Sequence, residues 1–374
     1  MNELHHPTVA CIHLDRLTHN IHLLQSLVGE RPMWPAIKAN AYGHGLELIA
    51  GHLCGLGYRT LCVAHVGEAA ALLEAGIAAR FVLLSASLPE QAQAIVEHDC
   101  EPAVCDKQTV AALAQAAERA GRRLDVHLMV DTGMGRIGIP AQEVPAFLEH
   151  CRAFPALRIR GLMSHFPCAD EADKRLSLAQ TEDFSQLIDA VAGRGGAVHH
   201  MANSAAIFDL PGSHFDAVRP GISIYGLPPS AAIANPRVEA LQPVLEWKTR
   251  ISFLKEVPPG TGLSYGHSFH TRRPSLIATL PVGYGDGLNR RLSNNLDVLV
   301  GGKRCPQVGR ITMDQSLVDV TSLRGRVALG DEVVIIGRQG SAGITADELA
   351  LKLDTINYEI VTAIADRVPR VAVG

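Results

Sequence analysis

Aromatic residues are scarce in this chain of 374 residues: phenylalanine, tyrosine and tryptophan together make up 5% of it, while hydrophobic residues as a whole make up 47%. The core is therefore expected to be aliphatic. Basic residues are not in excess either, since 34 lysines and arginines face 38 acidic residues for a formal net charge of −4. The absence of a Lys/Arg run along one face argues against a nucleic-acid partner. No apolar run approaches the ~20 residues of a membrane-spanning helix. Residues 1–10 hold no basic stretch followed by an apolar one, so a cytoplasmic location is expected. The eight cysteines form no C-x-x-C pair and show no metal-ligand spacing, which points to buried thiols rather than disulfides or a metal site. No internal repeat or low-complexity stretch occurs. What remains fits an enzyme acting on a small molecule.

The chain is too long for one compact core and suits a large α/β domain with a smaller one beside it in sequence. Short apolar, β-rich runs at 33–37, 61–64, 81–85, 102–105, 124–130, 159–164, 197–200 and 216–219 give eight strand candidates. Between them apolar residues recur at helical spacing, as in 66–75, 108–120 and 176–191. Buried parallel strands alternating with crossover helices make a TIM (β/α)8 barrel or a doubly wound sheet, and the strand count favours the barrel. After about residue 235 the texture changes to β-branched runs at 241–257, 275–281, 296–300, 308–320 and 331–336. These are separated by turn signals such as Pro258-Pro259-Gly260 and Gly330-Asp331. A helical pattern at 345–352 and a last segment at 357–370 follow. The expected organisation is thus a barrel over 1–235 and a mostly β C-terminal domain over 236–374.

The residues able to do chemistry fall just beyond the carboxyl ends of the expected barrel strands, where this fold builds its sites. Lys38 follows the first strand inside Pro35-Ala36-Ile37-Lys38-Ala39-Asn40-Ala41-Tyr42-Gly43-His44-Gly45. A lysine closing an apolar run is partly desolvated, which lowers its pKa and prepares it to form a Schiff base. Arg136 lies after the fifth strand, His165 at the end of the sixth, and Asn203 and Ser204 after the seventh. Arg219, Gly221 and Ile222 close the eighth. Each alone has an ordinary explanation as a turn arginine, a core histidine or a helix cap. Five strand ends converging on one face make a site. Ser204 with the amides near Gly221 and Ile222 supplies the phosphate-binding geometry common after strands seven and eight. A phosphate beside a Schiff-base lysine suggests pyridoxal 5'-phosphate.

Residues 133–138 match G-x-G-x-x-G directly after a strand, the pattern of a dinucleotide fold. The following Pro140 and the lack of a strand ending in an acidic residue about 20 positions on argue against that reading. Arg136, inside the motif, suits a carboxylate clamp, because a guanidinium pairs bidentately with a planar carboxylate. In the second domain the informative stretches are 262–269 around Tyr265, 282–287, and Gly309-Arg310-Ile311-Thr312-Met313-Asp314-Gln315.

Together, the Lys38 segment, Ser264-Tyr265-Gly266 and the 309–315 stretch closely resemble the signatures of alanine racemases, a fold-type III family of pyridoxal-phosphate enzymes. The resemblance runs essentially end to end, through Asn357-Tyr358-Glu359 to Arg367-Val368-Pro369-Arg370. It implies that Lys38 holds pyridoxal phosphate and acts as base on one face of the substrate. Tyr265, from the partner subunit of a head-to-tail homodimer, would act on the other. Tyr42, Ser204, Gly221, Ile222 and Tyr358 would hold the phosphate, and Asn203 would lie among the cofactor residues. Arg219 would face the pyridine nitrogen, with His165 oriented through Arg219 and His200. Arg136 and the Met313 backbone would hold the substrate carboxylate. A tyrosine with a reference pKa of about 10 needs about 4 kcal/mol of phenolate stabilisation to act near neutrality, and nearby positive groups can supply part of it.

One position departs from the family pattern. Many alanine racemases carry a carbamylated lysine where this chain has Met129, and a thioether cannot carry that charge. Arg136 then has to be oriented by another anion or by polar neighbours. The alternatives to racemisation of alanine are a serine or broad-specificity racemase on the same scaffold and a pyridoxal-phosphate-binding protein without racemase chemistry. The last would have no use for Tyr265. A decarboxylase of similar build is disfavoured because its cysteine signature is not apparent in the second domain.

Overall fold

The computed structural model describes residues 6–191 and 197–374; residues 1–5, part of the segment read above for a leader, lie outside the described residues. The chain divides into two compact units, one formed by Arg16–Ala41 and Leu46–Gln242, the other by Met1–Asp15, Tyr42–Gly45 and Pro243–Gly374.

The first unit is the expected barrel. Six strands, Thr60–Val63, Arg80–Ala86, Glu101–Val104, Leu124–Asp131, Leu157–Met163 and Val198–His200, lie parallel in sequence order. Every residue of Thr60–Val63 and Glu101–Val104 is buried, as befits strands covered on both faces. The expected first and eighth strands, 33–37 and 216–219, close the ring through isolated parallel bridges rather than ladders. Ala36 pairs with Cys62, Met33 with Val218, and His200 with Ala217. Prolines explain the difference. Pro32, Pro35 and Pro220 bring no N–H to a ladder and serve only as acceptors, to Val218, Cys62 and Ala36 respectively.

The helices between the strands start and stop within a residue of their expected ends, as in Val66–Glu74, Lys107–Arg119 and Arg175–Val191. Asp106 caps the second of these by accepting from the Thr109 amide, which contributes about 1 kcal/mol. Buried Leu61, Phe81, Val110 and Leu113 belong to an aliphatic core, at roughly 1.5–3 kcal/mol per large side chain.

The second unit is mostly β. Its main sheet runs Lys303–Pro306, Asp297–Val300, Glu332–Gln339, Leu245–Arg250, Val9–His13, Arg370–Val373. The amino-terminal strand Val9–His13 belongs here because it pairs antiparallel with Leu245–Arg250 and parallel with Arg370–Val373. The run expected at 241–257 splits into two strands serving different sheets. Leu245–Arg250 joins the main sheet and Phe253–Val257 pairs with Ser275–Leu280. Of the run expected at 308–320, only Ser316–Asp319 is a strand. Upstream of it Gly309 takes φ 76° and Thr312 bonds back onto Gln315, so that stretch is a loop. All eight cysteines are free thiols. Among the described residues no helix is long and apolar enough to cross a membrane.

Candidate active site

Lys38 opens a turn of the wrong hand. Ala39, Asn40, Ala41 and Tyr42 have φ of 55°, 53°, 53° and 51°, a left-handed helical turn built without glycine, which costs roughly 1–2 kcal/mol per residue. Hydrogen bonds offset that cost. The Glu68 carboxylate accepts from the Ala39 amide at 2.6 Å and the Ala64 amide at 2.7 Å, and Asn40 Oδ1 accepts from the Leu46 amide at 2.7 Å. The strain fixes where the Lys38 stem leaves the barrel wall. Burial, and next the Arg136 guanidinium, hold the Lys38 amine below its ordinary pKa.

Lys38, Arg136, His165 and Arg219 line one cleft, with Leu84, Met129, Ile137 and Met163 among its apolar wall residues and no acidic residue in its lining. Arg219 is buried, and burial brings its pKa down to about 10. Its donors reach the His200 carbonyl at 2.8 Å, the Ser164 carbonyl at 2.6 Å and His200 Nδ1 at 2.6 Å; His165 Nδ1 stands at 3.4 Å. No carboxylate touches it among the described residues. His165 is pushed down to about 3 by burial, then by Arg219, Arg136 and Lys38, so its ring is neutral at ordinary pH.

Arg136 is exposed on the loop after the fifth strand and has no acidic partner among the described residues. The glycines of 133–138 serve that loop. Asp131 Oδ1 accepts from the Gly133 and Gly135 amides, and a Cβ at Gly138, φ 128°, would stand 2.6 Å from the Asp131 nitrogen. The motif is a folded-back turn and no dinucleotide cradle. Met129 belongs to an apolar cluster with Ala103 and Met163, flanked by Leu84, Cys105 and Ile137.

Past the seventh strand, Asn203 caps the helix Ser204–Asp209 by accepting from the Ala206 amide at 3.1 Å. Ser204 Oγ accepts from the amides of Gly221 at 2.8 Å and Ser223 at 3.3 Å. Ile222 opens the buried 3-10 turn Ile222–Tyr225, in which the Ser223 hydroxyl is buried without a hydrogen-bond partner. Converging amides and an orphaned hydroxyl fit a phosphate. A lysine of lowered pKa in a cleft lined by cations and free of acids fits an anionic carbonyl cofactor such as pyridoxal phosphate.

The remaining expected residues lie on the second unit. Tyr42 is buried, its ring centroid 6.1 Å from that of Tyr358. The three signature stretches of this unit meet: Ser264 Oγ donates to the Arg310 carbonyl, and the Gly285 amide donates to the Met313 carbonyl. Tyr265 tops a turn flanked by Ser264 and Gly266 at φ 59° and 66°, and is 71% exposed. Met313 is also exposed. Sequence reasoning missed Glu68, Glu101 and His127. Glu68 and Glu101 carry no local signal, Glu101 standing just before the run read at 102–105, whereas a histidine within the apolar run 124–130 was available for His127.

These features define a (β/α)8 barrel with a lysine-lined, acid-free cleft at the carboxyl ends of its strands, in a chain that also carries a β domain. Residues 12–229 match the family description "Alanine racemase, N-terminal domain" and residues 244–372 match "Alanine racemase, C-terminal domain". The chain is 44% identical over 367 residues to an alanine racemase of Halothermothrix orenii, covering 97% of this chain and 96% of that one. It superposes on an alanine racemase of Clostridium difficile 630 with a TM-score of 0.94 at 33% identity, covering 99% of this chain and 97% of the other. An alanine racemase from Bacillus anthracis with bound L-Ala-P gives 0.93 at 35% identity, covering 100% and 96%. The chain belongs to the alanine racemase family.

Proposed function

We propose that the protein interconverts L-alanine and D-alanine with pyridoxal 5'-phosphate as cofactor, as a cytoplasmic homodimer in which Lys38 and Tyr265 are opposed bases. The observation that carries this reading is the cleft in which Lys38, Arg136, His165 and Arg219 gather without an acidic neighbour. Lys38 would hold the cofactor, Ser204, Gly221, Ile222, Tyr42 and Tyr358 its phosphate, and Arg219 its ring nitrogen, with His165 and Asn203 beside it. Bound there, pyridoxal phosphate supplies an electron sink that makes the Cα–H of an attached amino acid acidic.

Arg136 and the Met313 backbone would clamp the substrate carboxylate, which fixes the face that Cα presents to each base. The depressed pKa of Lys38 raises its unprotonated fraction, so Nζ takes a proton from one face. The Tyr265 hydroxyl of a second copy gives a proton on the other, and the roles exchange in reverse. Arg219, a fixed cation, would disfavour protonation of a pyridine nitrogen held beside it by like-charge repulsion, which would restrain side reactions. The apolar wall of Met129, Met163, Leu84 and Ile137 favours a short apolar side chain over that of serine or lysine.

The test is D-alanine formation by the purified protein loaded with pyridoxal phosphate, with L-serine and L-lysine compared under the same conditions. Turnover of alanine well above the other two supports the reading. Cofactor binding with no D-amino acid formed from any of them would reduce the protein to a cofactor binder.

A further inference from the structure

Behind Arg219 runs a line of buried polar side chains for which two-base racemisation has no stated use. Glu101 stands on the strand Glu101–Val104, His127 on Leu124–Asp131, and His200 ends Val198–His200. Glu101 Oε2 is 2.8 Å from His127 Nε2, His127 Nδ1 is 2.9 Å from His200 Nε2, and His200 Nδ1 is 2.6 Å from Arg219 Nη1. Glu101 and Arg219 are 5% and 4% exposed, and both histidines are fully buried.

The chemistry of the two ends dictates the order of the protons. A guanidinium only donates and a carboxylate only accepts. With neutral imidazoles, one arrangement satisfies all three bonds. Arg219 donates to His200 Nδ1, His200 Nε2–H donates to His127 Nδ1, and His127 Nε2–H donates to Glu101. Reversing either ring would set an N–H against an N–H. Burial holds both histidines below their ordinary pKa, in keeping with neutral rings.

The line is also packed as a built feature. Trp34 lies edge-on to both rings, at centroid distances of 5.8 Å and 4.7 Å. A Cβ at Gly161 would stand 2.3 Å from His127 Nδ1, so only glycine there leaves room for the ring. A buried carboxylate and guanidinium are costly to desolvate, and apolar residues of the same volume would often do as well for stability alone.

We propose that Glu101 is a positioning residue: through the fixed tautomers of His127 and His200 it orients the Arg219 guanidinium and balances its charge, keeping the donors of Arg219 on the site side in place. This rests on the reading that Arg219 faces the cofactor ring. The charged neighbour on the other side of Glu101, Arg80, stands 3.7 Å away at Oε1 and leaves Oε2 to the relay.

The test uses the holoenzyme labelled with ¹⁵N-histidine, in which two-bond correlations report which ring nitrogen of His127 and His200 carries the proton. The native protein should show Nε2–H at both. Glu101→Met, which removes the acceptor and leaves the buried His127 Nε2–H without a partner, should shift the ¹⁵N resonances of His127 and His200, shift the pH dependence of cofactor absorbance, and lower kcat about 10-fold with KM for alanine changed less than about 2-fold. Glu101→Gln keeps the shape and an acceptor oxygen, so it should fold even under conditions that unfold Glu101→Met and should show a smaller change of the same kind. An Nδ1–H at either ring of the native protein, or unaltered histidine resonances and kcat in both variants with only a lower Tm, would overturn the proposal and make the line a packing feature. The tautomers are read whether or not the protein racemises alanine, so failure of the relay and failure of the racemase reading are told apart.

Discussion

Lys38 and Tyr265 both stand in turns of left-handed backbone, yet their settings are opposites. Lys38 is half-buried, its turn is clamped by Glu68 and Asn40, and its amine is held below its ordinary pKa by burial and Arg136. Tyr265 has its turn pinned by the bond from Ser264 to Arg310, but its ring is 71% exposed. The contrast teaches that one proposed base is prepared by close neighbours of its own chain, Glu68, Asn40 and Arg136. The other is displayed, and its environment has to come from elsewhere, which in the proposed dimer is a second copy.

The largest effect is expected from Lys38→Ala, which should abolish the visible absorbance of bound cofactor and lower racemisation by roughly 10⁴-fold or more. Retained absorbance would move the cofactor link to another residue. Tyr265→Phe should lower kcat by about 10²–10⁴-fold while the absorbance stays. Mixing the two inactive variants then tests the displayed base directly. If Tyr265 acts across an interface, each mixed dimer regains one intact site and activity returns; if it acts within its own chain, the mixture stays dead.

A pH titration of stability separates the buried setting from the exposed one. His165 has a folded pKa near 3 against an unfolded value of about 6.5. Above that unfolded value it carries no penalty. As the pH falls toward 3, the unfolded chain binds a proton that the folded chain refuses, and stability drops by up to about 1.4 kcal/mol per pH unit. His200 and His127 are displaced in the same direction and steepen the loss. Urea unfolding of His165→Gln across that range should show a slope shallower by one proton, and an identical slope would mean that the ring is charged in the fold. The smallest effect is expected from Glu68→Ala. Releasing the Ala39 and Ala64 amides should cost about 1–3 kcal/mol, measured by denaturant midpoint, with KM for alanine raised because the Lys38 turn relaxes.

How much of this the chain discloses depends on whether a feature is local. The helix Lys107–Arg119 was legible because its cap, Asp106, and its apolar spacing lie within its own length. The place of Lys38 in a cleft was legible because the residues that shape its turn adjoin it in sequence. The first and eighth strands were legible as apolar runs, but not as single bridges, since that depends on which prolines meet which partners. Glu68 and Glu101 stayed hidden for the same reason. Their roles are set by Ala39, 29 residues away, and by His127, 26 residues away, and no local pattern marks such a pair. The 309–315 loop was misread as strand because its β-branched residues serve a turn locked by Gly309 and the bond from Thr312 to Gln315.

The closing bridge between Met33 and Val218 joins segments 185 positions apart, and it flanks the points where the chain leaves the barrel toward Lys38 and toward Arg219. Contacts of such long sequence separation carry the largest loop-closure entropy and tend to form late. A nascent or partly assembled chain can therefore hold most of its helices and strands and still have no site, because the lysine and the arginine become neighbours only when the ring shuts. Assembly of the cleft is in this sense a report on completed folding.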